Sequence, residues 1–140
     1  MEIKVAVTEE DVLKCREVML ALRTQIAVSD FVPLVTDMMK EGYKLAYIEE
    51  NGRVVSAVGF RYLQFLFNGR HIYINDLSTL PEERYKGYAG ALLDYVIALA
   101  KANGYTSVTL DSGHHRFAAH KLYLNKGFNI TAHHFLHSVK

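Results

Sequence analysis

The chain has a single cysteine, Cys15, so it can form no intrachain disulfide and no cysteine-rich metal framework. That suits a reducing cytosol. No apolar run reaches the roughly 18 residues that a membrane-spanning helix needs, and the charged stretch from Met1 to Glu10 does not read as a leader. A cytoplasmic protein without a membrane partner is the expectation. Neither sign of charge prevails: 16 Lys and Arg stand against 15 Asp and Glu, too even a balance to recruit nucleic acid by a global field. Low-complexity tracts, Pro- or Ser-rich linkers and internal repeats are also missing, so no internal boundary is visible. The 140 residues should fold as one domain, 1–140, with half of them hydrophobic and able to fill a core.

What is present is periodic. Ile3, Val5 and Val7 alternate with Lys4 and Ala6, which suggests a first strand. Thr8 and Asp11 have the spacing of a capping box, and Val12, Cys15, Met19, Leu22 and Ile26 then form one helical stripe. A second helix should open after Ser29 and Asp30, bury Leu34, Val35, Met38 and Met39, and stop at Gly42. Three strand-like runs follow, Tyr43 to Glu50, Arg53 to Phe65 and Arg70 to Thr79. Asn51-Gly52 and Asn68-Gly69 join them and accept the positive φ of tight turns, so the strands should be antiparallel in sequence order. After Pro81 the period changes: Leu92, Leu93, Val96, Ile97 and Ala100 line a helix ended by Asn103-Gly104, and Ser107 to Leu110 reads as a strand reached by a parallel crossover. A final helix from about His115 to Lys126 should lead into a closing strand around Phe128 to Val139. The fold class is therefore α/β, a mixed and mostly antiparallel sheet with one β-α-β crossover and helices on both faces.

Between strand and crossover helix lies Arg84-Tyr85-Lys86-Gly87-Tyr88-Ala89, with a glycine at the very start of the helix. The free N–H groups of a first helical turn carry partial positive charge, and a glycine lets an anion reach the backbone. Arg84 and Lys86 add cations beside that opening. The spacing fits neither the nucleotide P-loop nor the dinucleotide fingerprint. Taken alone it allows either a phosphate cradle or an ordinary glycine near a helix start.

This run is similar to the signature of the GNAT superfamily of acyl-CoA-dependent N-acyltransferases: Gln or Arg, two residues, Gly, one residue, then Gly or Ala. The preceding Ile74-Asn75-Asp76-Leu77-Ser78-Thr79-Leu80-Pro81-Glu82 resembles the family's pre-loop strand, and Leu122-Tyr123-Leu124-Asn125-Lys126-Gly127-Phe128 resembles its Leu-Tyr and Gly-Phe segment. The resemblance spans about residues 72 to 128. It implies a domain that binds acetyl-CoA as acyl-donor cosubstrate, with no metal, and passes the acetyl group to a primary amine of a small molecule or peptide by direct attack. It also implies that Leu77, Ser78 and Thr79 would line the pantetheine arm, chiefly through backbone groups of Leu77 and Thr79. The pyrophosphate would fall to Arg84, Tyr85, Lys86, Gly87, Tyr88 and Ala89. Family members often dimerise, so a homodimer is an open expectation, although no seam is marked in the sequence.

Two protons must move in such a transfer, one off the acceptor ammonium and one onto the departing thiolate. The resemblance makes Tyr123 the acid, while its helical spacing with Ala119 and Leu122 equally fits a core residue. Many relatives carry Glu where this chain has Asn75; Asp76 is a candidate base if a bulge re-aims it, or a structural carboxylate, with water relaying the proton to a carboxylate, His or backbone carbonyl as the other route. Arg116 stands where the family often has Asn, and could contact a phosphate, an anionic substrate group or only solvent. The seven histidines lack metal-ligand spacing and read as surface or acceptor-pocket residues. Tyr62, Phe65 and Phe67 are candidates to wall the acceptor cleft, or simple hairpin packing. A non-catalytic acyl-CoA sensor is the alternative function, favoured by Asn75 and disfavoured by Tyr123.

Overall fold

The computed structural model describes residues 1–140. The chain divides into two compact units, Met1–Leu110 and Asp111–Lys140. The first holds one five-stranded sheet in the order β1-β2-β3-β4-β5, formed by Lys4–Val5, Lys44–Glu50, Arg53–Phe65, Gly69–Thr79 and Ser107–Leu110. Pairing is antiparallel from β1 to β4 and parallel between β4 and β5. The mixed sheet and its single crossover are as the periodicity predicts. Asn51 and Gly52 take φ of 53° and 78°, the left-handed values a tight β2–β3 turn demands.

Helices α1 (Glu9–Lys14), α2 (Arg16–Leu22) and α3 (Phe31–Lys40) separate β1 from β2. The capping box forms: Thr8 Oγ1 accepts from Asp11 N at 3.1 Å, and Asp11 Oδ2 accepts from Val7 and Thr8 N at 2.9 and 3.1 Å. Those N–H groups hold the Asp11 carboxyl below its usual range. The single first helix expected through Ile26 is instead two. Cys15, at φ −83° and ψ −4°, closes α1 and opens α2, and α2 ends at Leu22. The break lets both short helices keep their apolar sides on the sheet, where Val12, Cys15, Val18 and Met19 are buried with Phe31, Val35, Leu45, Tyr47 and Ala57. The other sheet face, which carries Ala46 and Ile48, is in the alternate pleat position. The buried stripe of α4 (Tyr88–Ala102), Leu92, Leu93, Val96 and Ala100, lies outside the first cluster and packs on β3, β4 and β5. Helices thus cover both faces.

In the second unit α5 runs from Phe117 to Asn125, two residues shorter at its start than predicted, and has no buried residue. Arg116 is its N-cap and donates its N–H to Gly113 O at 3.0 Å. The closing strand expected over Phe128 to Val139 does not form: residues 128–140 have no regular secondary structure, although Phe128 N still closes the helix end on Tyr123 O at 3.0 Å. A segment becomes a strand only when a neighbour accepts its ladder bonds, and no strand pairs with this one. No helix of the protein is long and apolar enough to cross a membrane.

Burial raises the pKa of the fully buried Cys15 thiol to about 12. Only the thiolate reacts with disulfide reagents. The native protein should therefore leave a chromogenic disulfide reagent unchanged at pH 8 and release one equivalent of thiol after denaturation, which absorbance measures directly.

Candidate acyl-donor site

Strand β4 is longer than its neighbour β5. Their pairing runs from His71–Ser107 to Ile74–Leu110 and stops, so Asn75 to Thr79 have a strand partner only on the β3 side. The change coincides with a β-bulge, because Gly59 pairs with Asp76 and Phe60 with Ile74, leaving Asn75 unmatched. Two side chains in the stretch are committed to the fold. Ser78 Oγ donates to Val18 O at 2.7 Å, and Thr79 Oγ1 lies 2.8 Å from Ser56 Oγ. What Ser78 and Thr79 have left to offer a ligand is main chain.

Beyond β4, Pro81–Glu83 make one tight turn and lead to Arg84. Arg53 Nη2 braces this turn, 2.8 Å from Glu82 Oε1 and 2.6 Å from Glu17 Oε2 of α2, and the two carboxylates hold its guanidinium above its ordinary pKa. The loop that follows contains two left-handed residues, Tyr85 at φ 65° and Gly87 at 88°. For a tyrosine this conformation costs about 1–2 kcal/mol. Gly87 is the N-cap of α4 and brings no capping side chain. The first helical bond is Ala91 N to Gly87 O, at 3.0 Å, so the N–H groups of Tyr88, Ala89 and Gly90 have no acceptor within the helix. Arg84, Tyr85 and Lys86 are exposed around this opening. Lys86 Nζ is drawn 2.6 Å from Glu83 Oε2, which raises its pKa. The predicted cradle residues are thus adjacent and form a left-handed turn at the positive end of a 15-residue helix.

Asp76 sits at the bulge and is bonded on both oxygens. Arg23 Nε donates to Oδ1 at 2.8 Å, and Tyr43 Oη donates to Oδ2 at 2.7 Å. Arg23 Nη2 also donates to Asn75 O at 2.9 Å. The bulge does re-aim Asp76, but toward Arg23 and Tyr43. Tyr43 is 3% exposed, and burial followed by the Asp76 charge drives its pKa well above the ordinary value. Its ring crosses β3 at Gly59, where a Cβ would stand 1.7 Å from Tyr43 Oη. Sequence pattern did not connect Arg23, Tyr43 and Gly59 with Asp76. A glycine inside a strand pattern, which marks a close approach, was the one available signal.

In the second unit, Tyr123 is half-buried, its ring 6.0 Å from that of Phe128. Burial raises its pKa, with Arg116 pulling in the opposite direction. Arg116 itself is exposed. Of the other candidates, Tyr62 packs edge-on against Phe60 and Tyr105. Phe65 and Phe67 lie together at an exposed hairpin end. His71 is not a surface residue: it is wholly buried, with Nδ1 2.9 Å from Gly69 O and its ring against Phe65. No group of three or more His, Cys, Asp or Glu side chains could hold a metal ion.

The model of the acetyltransferase (GNAT) family matches residues 16–128, and the chain belongs to that family. It is 32% identical over 132 residues, 93% of each chain, to an uncharacterized N-acetyltransferase, YhdJ, of Bacillus subtilis (strain 168). The fold matches that of a putative acetyltransferase from Agrobacterium tumefaciens strain C58 with a TM-score of 0.84 over 99% of both chains at 20% identity. It also matches AAC(6')-Iy, solved in complex with the bisubstrate analogue CoA-S-monomethyl-acetylneamine, with a TM-score of 0.83 over 100% and 99% of the two chains at 12% identity. The protein is an acyltransferase of the acetyltransferase class.

The overlap of a Gly59 methyl with Tyr43 predicts that Gly59→Ala destabilises the fold by about 1–3 kcal/mol, the usual cost of overpacking. The double variant Gly59→Ala/Tyr43→Phe should recover little of that loss in urea unfolding, because the ring carbons Cζ and Cε1 still stand under 3.0 Å from the added methyl and Asp76 loses a bond.

Proposed function

We propose that the chain, acting over residues 1–140 as one acetyltransferase domain, transfers the acetyl group of acetyl-CoA to a primary amine of a small molecule or peptide by direct attack. The observation that carries this reading is the run of β4 beyond its partner β5 into a left-handed loop whose glycine opens α4. A side chain at Gly87, with φ at 88°, would be strained, and the first-turn N–H groups behind it have no acceptor in the helix. These residues fit a pyrophosphate. The backbone of Leu77 and Thr79 would hold the pantetheine arm, and Arg84 with the N–H groups from Lys86 to Ala89 the diphosphate. When bound, acetyl-CoA supplies an acyl carbon already activated as a thioester.

The chain's own part is to orient and to move one proton. With its pKa above 10, Tyr123 keeps its hydroxyl proton throughout the neutral range and can deliver it to the departing sulfur. Arg116, whose charge lowers the Tyr123 pKa, offers a cation to an anionic group of either substrate. Asp76 has both oxygens bonded, so we assign it a positioning role in place of the general-base role first expected. The ammonium proton of the acceptor then leaves to solvent. Cys15 is buried and protonated, which agrees with a route that forms no covalent enzyme intermediate.

Saturating acetyl-CoA or CoA should raise the melting temperature, since a ligand selective for the folded form must do so; no shift would reject the reading. Thiol release from acetyl-CoA, screened over small amines, polyamines, amino acids and peptide N-termini, identifies the acceptor, and binding without turnover on any of them would favour a sensor. With an active acceptor, Tyr123→Phe should lower kcat about 100-fold while CoA affinity persists. An amine with a pKa near 10 is about one part in a hundred neutral at pH 8, so without an enzymic base kcat/KM should climb about tenfold per unit from pH 7 to 9. The raised pKa of Tyr123 places the alkaline fall beyond its ordinary value of 10.0. The fall should be absent from the profile of the Phe variant.

A further inference from the structure

The bulge in β4 is held from outside the sheet. Its unmatched residue, Asn75, has lost its ladder position, and its carbonyl is taken by Arg23 Nη2 at 2.9 Å. The same guanidinium pairs through Nε with Asp76 Oδ1 at 2.8 Å, so one planar group spans two consecutive residues of the strand. A fork of this geometry fixes direction as well as distance, which an ammonium cannot do. Tyr43, delivered by the start of β2 and passing over the bare Cα of Gly59, fastens Asp76 from its other oxygen. The Asp76 side chain is 13% exposed and Arg23 38%, so the pair lies where water weakens it only in part.

The location gives the fastening its meaning. Strand side chains alternate with a period of two, so loss or migration of a one-residue bulge would turn Asp76 and every residue after it to the opposite face. Those residues are Leu77, Ser78 and Thr79, the segment without a β5 partner. Resting on the coenzyme reading above, we propose that Arg23, Tyr43 and Asp76 are positioning residues for the acyl donor: they pin the bulge at Asn75 and so fix the register in which Leu77 to Thr79 present their main chain to the pantetheine arm. Arg23 is the C-cap of α2, and the donor strand is thereby tied to the N-terminal helical region.

The pyrophosphate end of the coenzyme would engage the loop before α4 and not the bulge, so two ligands separate the contributions. Equilibrium binding of CoA and of 3′-phospho-ADP, which has the nucleotide and diphosphate but no pantetheine arm, would be measured for the parent protein, Arg23→Lys, Asp76→Asn and Tyr43→Phe. Arg23→Lys retains the charge without the fork, and Asp76→Asn retains the shape without the ion pair; circular dichroism establishes that each is folded. Both should bind CoA about tenfold or more weakly, a loss of about 1.4 kcal/mol, and 3′-phospho-ADP within about twofold of the parent. Tyr43→Phe should show a smaller loss in the same direction, and amide exchange of Leu77 to Thr79 should quicken in all three. Unchanged CoA affinity in Arg23→Lys and Asp76→Asn, or an equal loss for both ligands, would overturn the inference. A parent protein that binds neither ligand would instead reject the coenzyme reading, and this inference with it.

Discussion

The contact that holds the β4 bulge is the one between Arg23, Tyr43 and Asp76. A bulge costs a strand its regular ladder at one residue, and the freed carbonyl needs a partner. Arg23 supplies it. The part-buried carboxylate next to it would be costly if left unpaired, and is bonded on both oxygens by a guanidinium and a phenol. Each member requires the others. Without Gly59 the phenol has no path over β3, without Tyr43 one oxygen of Asp76 loses its bond, and without Arg23 the bulge carbonyl stands alone.

Past the bulge, the proposed donor site would be built mainly from backbone. Ser78 and Thr79 turn their side chains to Val18 and Ser56, and Gly87 has none to turn. Main-chain groups suit a donor that must be held in the same way whatever the acceptor, because their positions follow from strand register and helix start and survive substitution at most side chains. The charges near the loop are secondary. Lys86 is already engaged by Glu83, while Arg53, tying Glu17 to Glu82, steadies the approach to the loop.

Much of this was readable from local pattern. Asn51-Gly52 and the alternation of β2, β3 and β4 predicted strands whose observed ends differ by at most one residue, because tight turns and a period of two are local properties. The crossover helix and β5 were equally legible. The errors fall where a partner decides the outcome. Thr8 and Asp11 correctly opened a helix, but the stripe from Val12 to Ile26 did not reveal that Cys15 would divide it. The segment from Phe128 to Val139 was expected to close the sheet as a strand and found no neighbour. Asp76 was picked out as a carboxylate near the chemistry, yet its partners are 53 and 33 residues away in sequence, and no spacing rule connects them.

By itself, then, the sequence determined the family, the mixed sheet with its single crossover, and the glycine loop at the head of α4. Each of these is encoded in contiguous residues through turn chemistry, side-chain period or an ordered motif. Tertiary structure alone decided which way Asp76 faces, that Arg23 and Tyr43 hold it there, and that β4 outlasts β5. Those outcomes depend on contacts between segments that meet only when the sheet has formed, and burial turns such contacts from indifferent into obligatory.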